Sequence, residues 1–211
     1  YSNSALFLKS INLVLIKSTV KLFNLAISVI SIPFSKSIKN DCNITMVDRR
    51  NHFLFTPLLP EVAGASLDQH TIVEPLRDIL DPQVTFVNDE ILSVDTESQK
   101  VTLKNSTVHY DILVSALGSR TFFFGTPGAQ EHAYVLKNLD DSVKLRNRFV
   151  DIFEQASQIS SEEKRRELLT FMIIGGGPTG VELAGEIAEL FFHTLAKQHH
   201  AIDISDISLT L

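Results

Sequence analysis

Residues 168–195 constrain the fold more than any other stretch of this 211-residue chain. Residues 168–174 are an apolar run long enough for a buried parallel strand, and 181–195 repeat Val, Leu, Ala, Ile, Ala and Leu at helical spacing. Between them Gly175, Gly177 and Gly180 fit G-x-G-x-x-G. In that pattern the first glycine permits a tight turn, the second lets backbone approach a pyrophosphate, and the third lets helix pack on strand. The helix start would add N–H groups and the positive end of a dipole. A glycine-rich turn can also simply open an ordinary α/β helix, but here strand, glycines and helix come in the required order.

A fold of this kind also needs an acid ending its next strand, about 20 residues after the glycines. Asp203 and Asp206 lie near that distance, yet they precede the apolar stretch "ISLTL" at 207–211 and read as loop or strand-start residues. The strand that should carry the acid is the one on which the chain ends. The expectation is a fold cut in half.

Hydrophobic residues make up 44% and charged residues 21%, with 14 Phe, which places the chain among globular proteins. The net charge of -6 is uneven: Lys9, Lys17, Lys21, Lys36 and Lys39 occur in the first 40 residues without an acid, so the remainder carries all the negative excess. An acidic body argues against a nucleic-acid partner. Cys42 is the single cysteine, which excludes an internal disulfide, a C-x-x-C pair and a thiolate zinc site, and reads as a small buried hydrophobe at a strand start. His193, His199 and His200 gather near one helix end at no standard ligand spacing, so no metal is expected.

The first 40 residues are apolar but broken by Lys17 and Lys21, and the uncharged run 22–35 is short of the roughly 20 residues needed to span a bilayer. A signal h-region, a Lys-bearing amphipathic anchor and an organellar transit peptide each fit part of it, beside a plain core strand and helix.

Further along, "CNITMVD" reads as a short strand ending in Asp48. In "FLFTPLLPEVAG", Pro57 and Pro60 are read as forbidding a regular helix or central strand, leaving a loop that lines a ligand or packs as a crossover. "TIVEPLRDIL" reads as a short helix. Residues 84–118 alternate strands with polar turns at Asn88, 95–100 and 104–106, a β-meander inserted in an α/β domain. Its last strand, 111–117, is a continuous apolar run suited to a buried sheet, with Gly118 directly after it. From Asn138 a capped amphipathic helix is expected, with apolar residues at 143, 145, 149, 152, 153 and 156, followed by a solvated connector, "SQISSEEKRRELL".

An apolar strand ending in an acid is the form of the second strand of a dinucleotide fold, where the acid takes a ribose. Its glycine turn should lie roughly 15 to 35 residues before Asp48. No glycine precedes Gly64. Residues 11–16 sit where the first strand belongs and 19–30 could be its helix, but "KSTVKL" stands in place of the glycines. Side chains there would keep backbone away from a pyrophosphate.

"TMVDRRNHFLFTPLLPEVAG", "YDILVSALG" and "LLTFMIIGGGPTGVELAGEIAEL", in that order and spacing from about residue 44 to 211, together resemble the type II NADH:quinone oxidoreductases, flavoproteins with two dinucleotide-binding domains. The resemblance implies an α/β chain of two Rossmann-like folds, both incomplete here. Residues 1–40 stand in place of the FAD glycine motif and 41–137 form a partial FAD-binding domain. Residues 138–166 are a helical connector, and 167–211 are the N-terminal half of an NADH-binding domain.

It further implies FAD contacts at Asp48 with Arg49 beside it, at Thr56, Pro57 and Leu58 in the loop reaching toward the flavin, at Ile91, and at Ala116 and Gly118. NADH would meet Gly175, Gly177, Pro178, Thr179 and Gly180, with Glu182 placing the nicotinamide ring. A helix N-terminal carboxylate stabilised by the dipole is an equally supported reading of Glu182. The chemistry the resemblance implies passes hydride from NADH to flavin and electrons to quinone, and so requires no acid-base residue. Quinone, a membrane surface reached through a C-terminal part absent from this sequence, and a homodimer are the implied partners. The implied location is peripheral, on a bacterial or mitochondrial inner membrane. Two other readings stay open: an inactive remnant without FAD, poorly soluble because of its open sheet edges, and a related flavin reductase with another acceptor.

Overall fold

The computed structural model describes the backbone of Ile11–Lys17 and residues 42–211, with side chains from Asn43 onward. The helix expected over 19–30, the membrane and transit readings of the first 40 residues, and the burial of Cys42 lie outside the described residues. No helix among the described residues is long and apolar enough to cross a membrane.

The chain forms two compact units. One comprises the described residues up to Phe55 together with Val73–Arg120; the other comprises Thr56–Ile72 and Thr121–Leu211. In the first, β1 (Ile11–Lys17) pairs in parallel with β2 (Cys42–Asp48) on one side and with β9 (Ile112–Ala116) on the other, and β5 (Val84–Asn88) lies outside β2. The order is thus β5-β2-β1-β9. Parallel pairing of β1 with both a later neighbour and the last strand makes this a doubly wound sheet whose direction of winding switches at β1. The first-strand reading of residues 11–16 is met by this register.

Two expectations shift. β5 joins the parallel sheet, so the antiparallel meander is confined to β6 (Ile91–Asp95), β7 (Lys100–Leu103) and β8 (Thr107–His109). β9 is an edge strand of the described sheet, with Ile112 half exposed, because its outer hydrogen-bonding side has no strand beside it among the described residues. Met46 and Ile44 pack with Leu76, Val84 and Ala116 on one side, and Val47 packs with Val101, Leu103 and Tyr110 against the meander. Alternate residues of one strand therefore serve two cores.

Prolines set the local helices. Pro57 and Pro60 do not prevent helix: a 3-10 turn, Thr56–Leu58, runs into α1 (Leu59–Ala63) with proline in its first turn, where no N–H is needed. In "TIVEPLRDIL", Pro75 instead keeps Glu74 extended. β4 (Val73–Pro75) pairs antiparallel with β3 (His52–Leu54), and only α2 (Leu76–Ile79) is helical.

In the second unit α3 (Ala129–His132) precedes α4 (Leu139–Ser157). The Asn138 side chain accepts from Asp141 N–H, and the Asp141 carboxylate accepts from Asn138 N–H, a complete capping box. Leu145, Phe149, Ile152, Phe153 and Ala156 are buried as their spacing predicts, whereas Val143 is only partly covered. The buried face meets β10 (Thr170–Met172), α6 (Pro178–Ala188) and the π-helical stretch Glu189–Leu195 that continues α6. Phe149, Phe153, Phe171 and Phe191 close a ring cluster with centroids 4.4 Å apart for Phe171 and Phe191 and 5.1 Å for Phe149 and Phe191. β10 pairs in parallel with β11 (Ser208–Thr210). The strand expected to be buried is half open: Met172 is 71% and Ile174 88% exposed, because only one face of this two-stranded sheet is covered.

The charged stretch read as a connector contains α5 (Glu162–Leu168), and it has a structural task. Arg165 Nε and Arg166 Nε donate to the two oxygens of buried Asp206, at 2.7 and 2.9 Å. Glu162 holds Arg166 from the other side at 2.6 Å. Hydrogen bonds from Arg166 and then Arg165 hold the Asp206 carboxyl below its ordinary value, against the opposing effect of burial. Asp206 and Asp203, which caps the turn Ile204–Asp206 through Ser205 N–H, are loop residues before β11, as read from sequence.

Two outcomes follow from this packing. Phe153→Ala empties a fully buried ring site and lowers stability by about 3–5 kcal/mol in urea unfolding. Asp206→Asn lowers the thermal midpoint at neutral pH. Because the folded carboxyl titrates below its ordinary value, the parent's advantage is fully present above that ordinary value and shrinks as pH falls through the folded one, so the two melting curves converge in acid.

Candidate dinucleotide-binding site

The carboxyl ends of β5, β2, β1 and β9 bring Asn88, Asp48, Lys17 and Ala116 into one row: Asp48 pairs with Asn88, and Lys17, one residue past the Ile16–Val47 pair, pairs with Ala116. In an open parallel sheet this edge, at the strand where winding reverses, is where ligands bind. Asp48 is 4% exposed. Its Oδ1 accepts the Arg50 N–H at 2.9 Å, and its carbonyl accepts Asn88 Nδ2 at 3.0 Å and Asp89 N–H at 3.2 Å. The carboxylate is therefore oriented by the turn that follows it. Arg49 beside it is exposed. Gly118, two residues past Ala116, has φ +79, in the left-handed region that favours glycine.

Ile91 opens β6 opposite Leu103, and its side chain packs with the Val47 cluster. Asp89, not singled out from sequence, is buried and accepts from Asn105 N–H at 3.0 Å, Asn105 Nδ2 at 3.1 Å and Glu90 N–H at 2.7 Å. It ties the β7–β8 turn to the end of β5. An acid in a polar turn carries no sequence signal that separates this role from solvation.

In the second unit, Thr56 is fully buried, and its Oγ1 has no hydrogen-bond partner among the described residues. Leaving such a hydroxyl unpaired costs about 1–3 kcal/mol, so an orphan in this segment fits a group that a ligand would satisfy. Pro57 and Leu58 complete the 3-10 turn beside it.

The glycine turn has the shape its sequence predicts. Gly175 has φ +122, a conformation side chains rarely adopt. A Cβ on Gly180 would overlap the Gly175 carbonyl oxygen, so the third glycine is where helix closes on the turn. A Cβ on Gly177 would meet nothing within 4 Å, which leaves open space on the side that a pyrophosphate would occupy. Pro178 takes the first helical position, Thr179 follows, and Gly177 carbonyl accepts the N–H groups of Gly180 and Val181. Glu182 is exposed one turn into α6. The glycine cradle fits a dinucleotide. For FAD, Asp48 and Gly118 of the first unit fit, while the glycine-free sequence after β1 departs from the pattern.

Among the described residues no group of three His, Cys, Asp or Glu is placed to hold a metal ion. His193 Nδ1 lies 2.6 Å from Glu189, and His199 sits 3.8 Å from Glu154 beside the Phe153 ring.

Residues 34–209 match the family model described as pyridine nucleotide-disulphide oxidoreductase. An external alternative NAD(P)H-ubiquinone oxidoreductase B4, mitochondrial, of Arabidopsis thaliana is 37% identical over 168 residues, covering 74% of this chain and 29% of the relative. A type II NADH:quinone oxidoreductase of Mycobacterium tuberculosis is 39% identical over 176 residues, covering 80% and 38%. The chain thus spans about a third of the length of these relatives. A structure of NDH2 from Plasmodium falciparum in complex with NADH superposes with a TM-score of 0.79 at 28% identity, over 95% of this chain and 41% of that one. With the family model matching most of its length, the chain belongs to the pyridine nucleotide-disulphide oxidoreductase family and, within it, is a relative of the type II NADH:quinone oxidoreductases.

Proposed function

We propose that this chain carries the cofactor-facing part of an FAD-dependent NADH:quinone oxidoreductase that does not pump protons. The observation that carries the reading is the glycine turn, where Gly175, Gly177 and Gly180 leave an open backbone cradle at the start of α6. The names of its relatives supply the substrates. Residues 41–137 serve as a partial FAD-binding domain, 138–166 as a helical connector, and 167–211 as the N-terminal half of the NADH-binding domain. The 1–40 segment stands in place of the first glycine motif.

The bound cofactors supply hydride transfer from nicotinamide to flavin and two-electron delivery to quinone. The protein's residues supply position and electrostatics. Asp48 receives the adenosine ribose hydroxyls of FAD, with Arg49 at the rim and the Ile91 backbone near the adenine. Thr56 donates its orphaned hydroxyl toward the flavin side, with Pro57 and Leu58 shaping that wall. Ala116 and Gly118 let the chain pass close to the cofactor. The cradle of Gly175, Gly177 and Gly180, with Pro178 and Thr179, takes the NADH pyrophosphate at the helix start. Glu182 orients the nicotinamide. Quinone, a membrane surface, a homodimer and peripheral attachment to a bacterial or mitochondrial inner membrane belong to the same proposal.

A second reading has its own support. No glycine precedes Gly64, so the sequence after β1 lacks the glycines that the family pattern uses for FAD, and the chain would then be a remnant without FAD binding. Adding FAD and then NADH without oxygen separates the two. Retained visible flavin absorption that bleaches with NADH supports the oxidoreductase, and a colourless chain after FAD addition supports the remnant.

The cradle has its own check. Gly180→Ala forces the turn open and weakens NADH binding at least about tenfold, equal to ~1.4 kcal/mol, in calorimetric titration. Gly185→Ala, in open space on the same helix, leaves affinity unchanged and stabilises the helix by about 0.5–1 kcal/mol.

A further inference from the structure

Helix α6 is gripped a second time, two turns beyond the glycine cradle. A Cβ on Gly64 would lie 2.6 Å from Glu186 Cβ and 3.0 Å from the Glu186 carbonyl carbon and oxygen, so backbone at the end of α1 rests directly on α6. The dihedral angles of Gly64, φ -80 and ψ 0, are open to any residue. Space rather than conformation calls for glycine there. The left-handed residue is the next one, Ala65, at φ +62, where a side chain is sterically disfavoured. Glycine therefore stands where the helices touch, and the turn is left to an alanine.

That turn has a result. It brings the N–H groups of Ser66 and Leu67 back to the Glu61 carbonyl, at 3.0 and 3.3 Å, and delivers Ser66 Oγ to Glu186 Oε2 at 2.6 Å. The length is that of a hydroxyl donating to a carboxylate. Glu186 lies one helical turn after Glu182, and Ser66 follows the segment Thr56–Leu58 through the single short helix α1. One corner thus fixes the helix bearing the glycine cradle to the segment bearing the orphaned Thr56 hydroxyl, all within the second unit.

We propose that Gly64, Ser66 and Glu186 are positioning residues: they lock the register between the nicotinamide helix and the flavin-side segment, and so set the alignment in which hydride is passed. The inference rests on the proposed oxidoreductase function for its substrate, but the lock itself does not. A misalignment of about 1 Å is enough to slow transfer on the order of 100-fold.

The test uses the full chain loaded with FAD. Ser66→Ala removes the hydroxyl, Ser66→Thr keeps it, and Gly64→Ala drives the helices apart. Amide hydrogen exchange over residues 56–66 and 175–188 reads the lock directly. Single-turnover bleaching of the flavin reads alignment, and NADH titration reads affinity.

In Ser66→Ala both segments exchange faster together, and the bleaching rate at saturating NADH falls about tenfold while NADH affinity changes less than about threefold, with Ser66→Thr restoring both. Gly64→Ala shows the same pattern more strongly. Unchanged exchange in Ser66→Ala, or a loss confined to NADH affinity, overturns the proposal. If the parent takes up no flavin, the oxidoreductase reading fails and the positioning role with it, while exchange still reports whether the two segments are locked.

Discussion

Helix α6 is held at two places where no side chain stands between backbones, and much of the second unit is arranged around those contacts. At its start, the missing Cβ of Gly180 lets the helix close on the Gly175 carbonyl. Two turns later, the missing Cβ of Gly64 lets the end of α1 rest on Glu186. With those separations set, Ile187, Leu190 and Phe191 fall onto the face of α4 that presents Phe149 and Phe153, and Phe171 of β10 joins the same ring cluster. Close-packed interiors transmit such constraints, because a side chain displaced by even a methyl group must displace its neighbours.

Three buried carboxylates show how position decides the work of one chemical group. Asp206 is neutralised by two arginines of α5 and anchors the loop before β11. Asp89 is saturated by the backbone and amide of Asn105 and holds the meander to the end of β5. Asp48 sits at the carboxyl edge of a parallel sheet, steered by the Arg50 N–H, at the location where such sheets bind ligands. In sequence all three are aspartates next to short apolar strands. Only Asp48 ends a strand that is central in the described sheet, and that is what gives it a ligand-facing role in the proposed function.

The parts legible in the sequence were those whose cause is local. The glycine turn requires Gly175 to adopt φ +122, and few residues other than glycine do so; the capping box needs only Asn138 and Asp141 three residues apart; the buried face of α4 follows from helical spacing. The misses have equally physical causes. Pro57 and Pro60 argued against helix, but proline is tolerated in a first turn. Residues 162–168 are solvated as read, with none of them buried, but nothing local shows that Arg165 and Arg166 share Asp206, some forty residues away. The strand from 168 looked buried because apolarity does not say whether both faces of a sheet will be covered; Ile174 is left 88% exposed.

By itself the sequence determined the strand–glycine–helix turn, the helix caps and the acid at the end of β2, because each is dictated by the steric and hydrogen-bonding demands of a few adjacent residues. Only the tertiary structure decided that β1 lies between β2 and β9, that Asp206 is structural, and that Gly64 serves spacing while Ala65 makes the turn. Those outcomes depend on which distant backbone arrives at a given residue, and the chain's own periodicity carries no record of that.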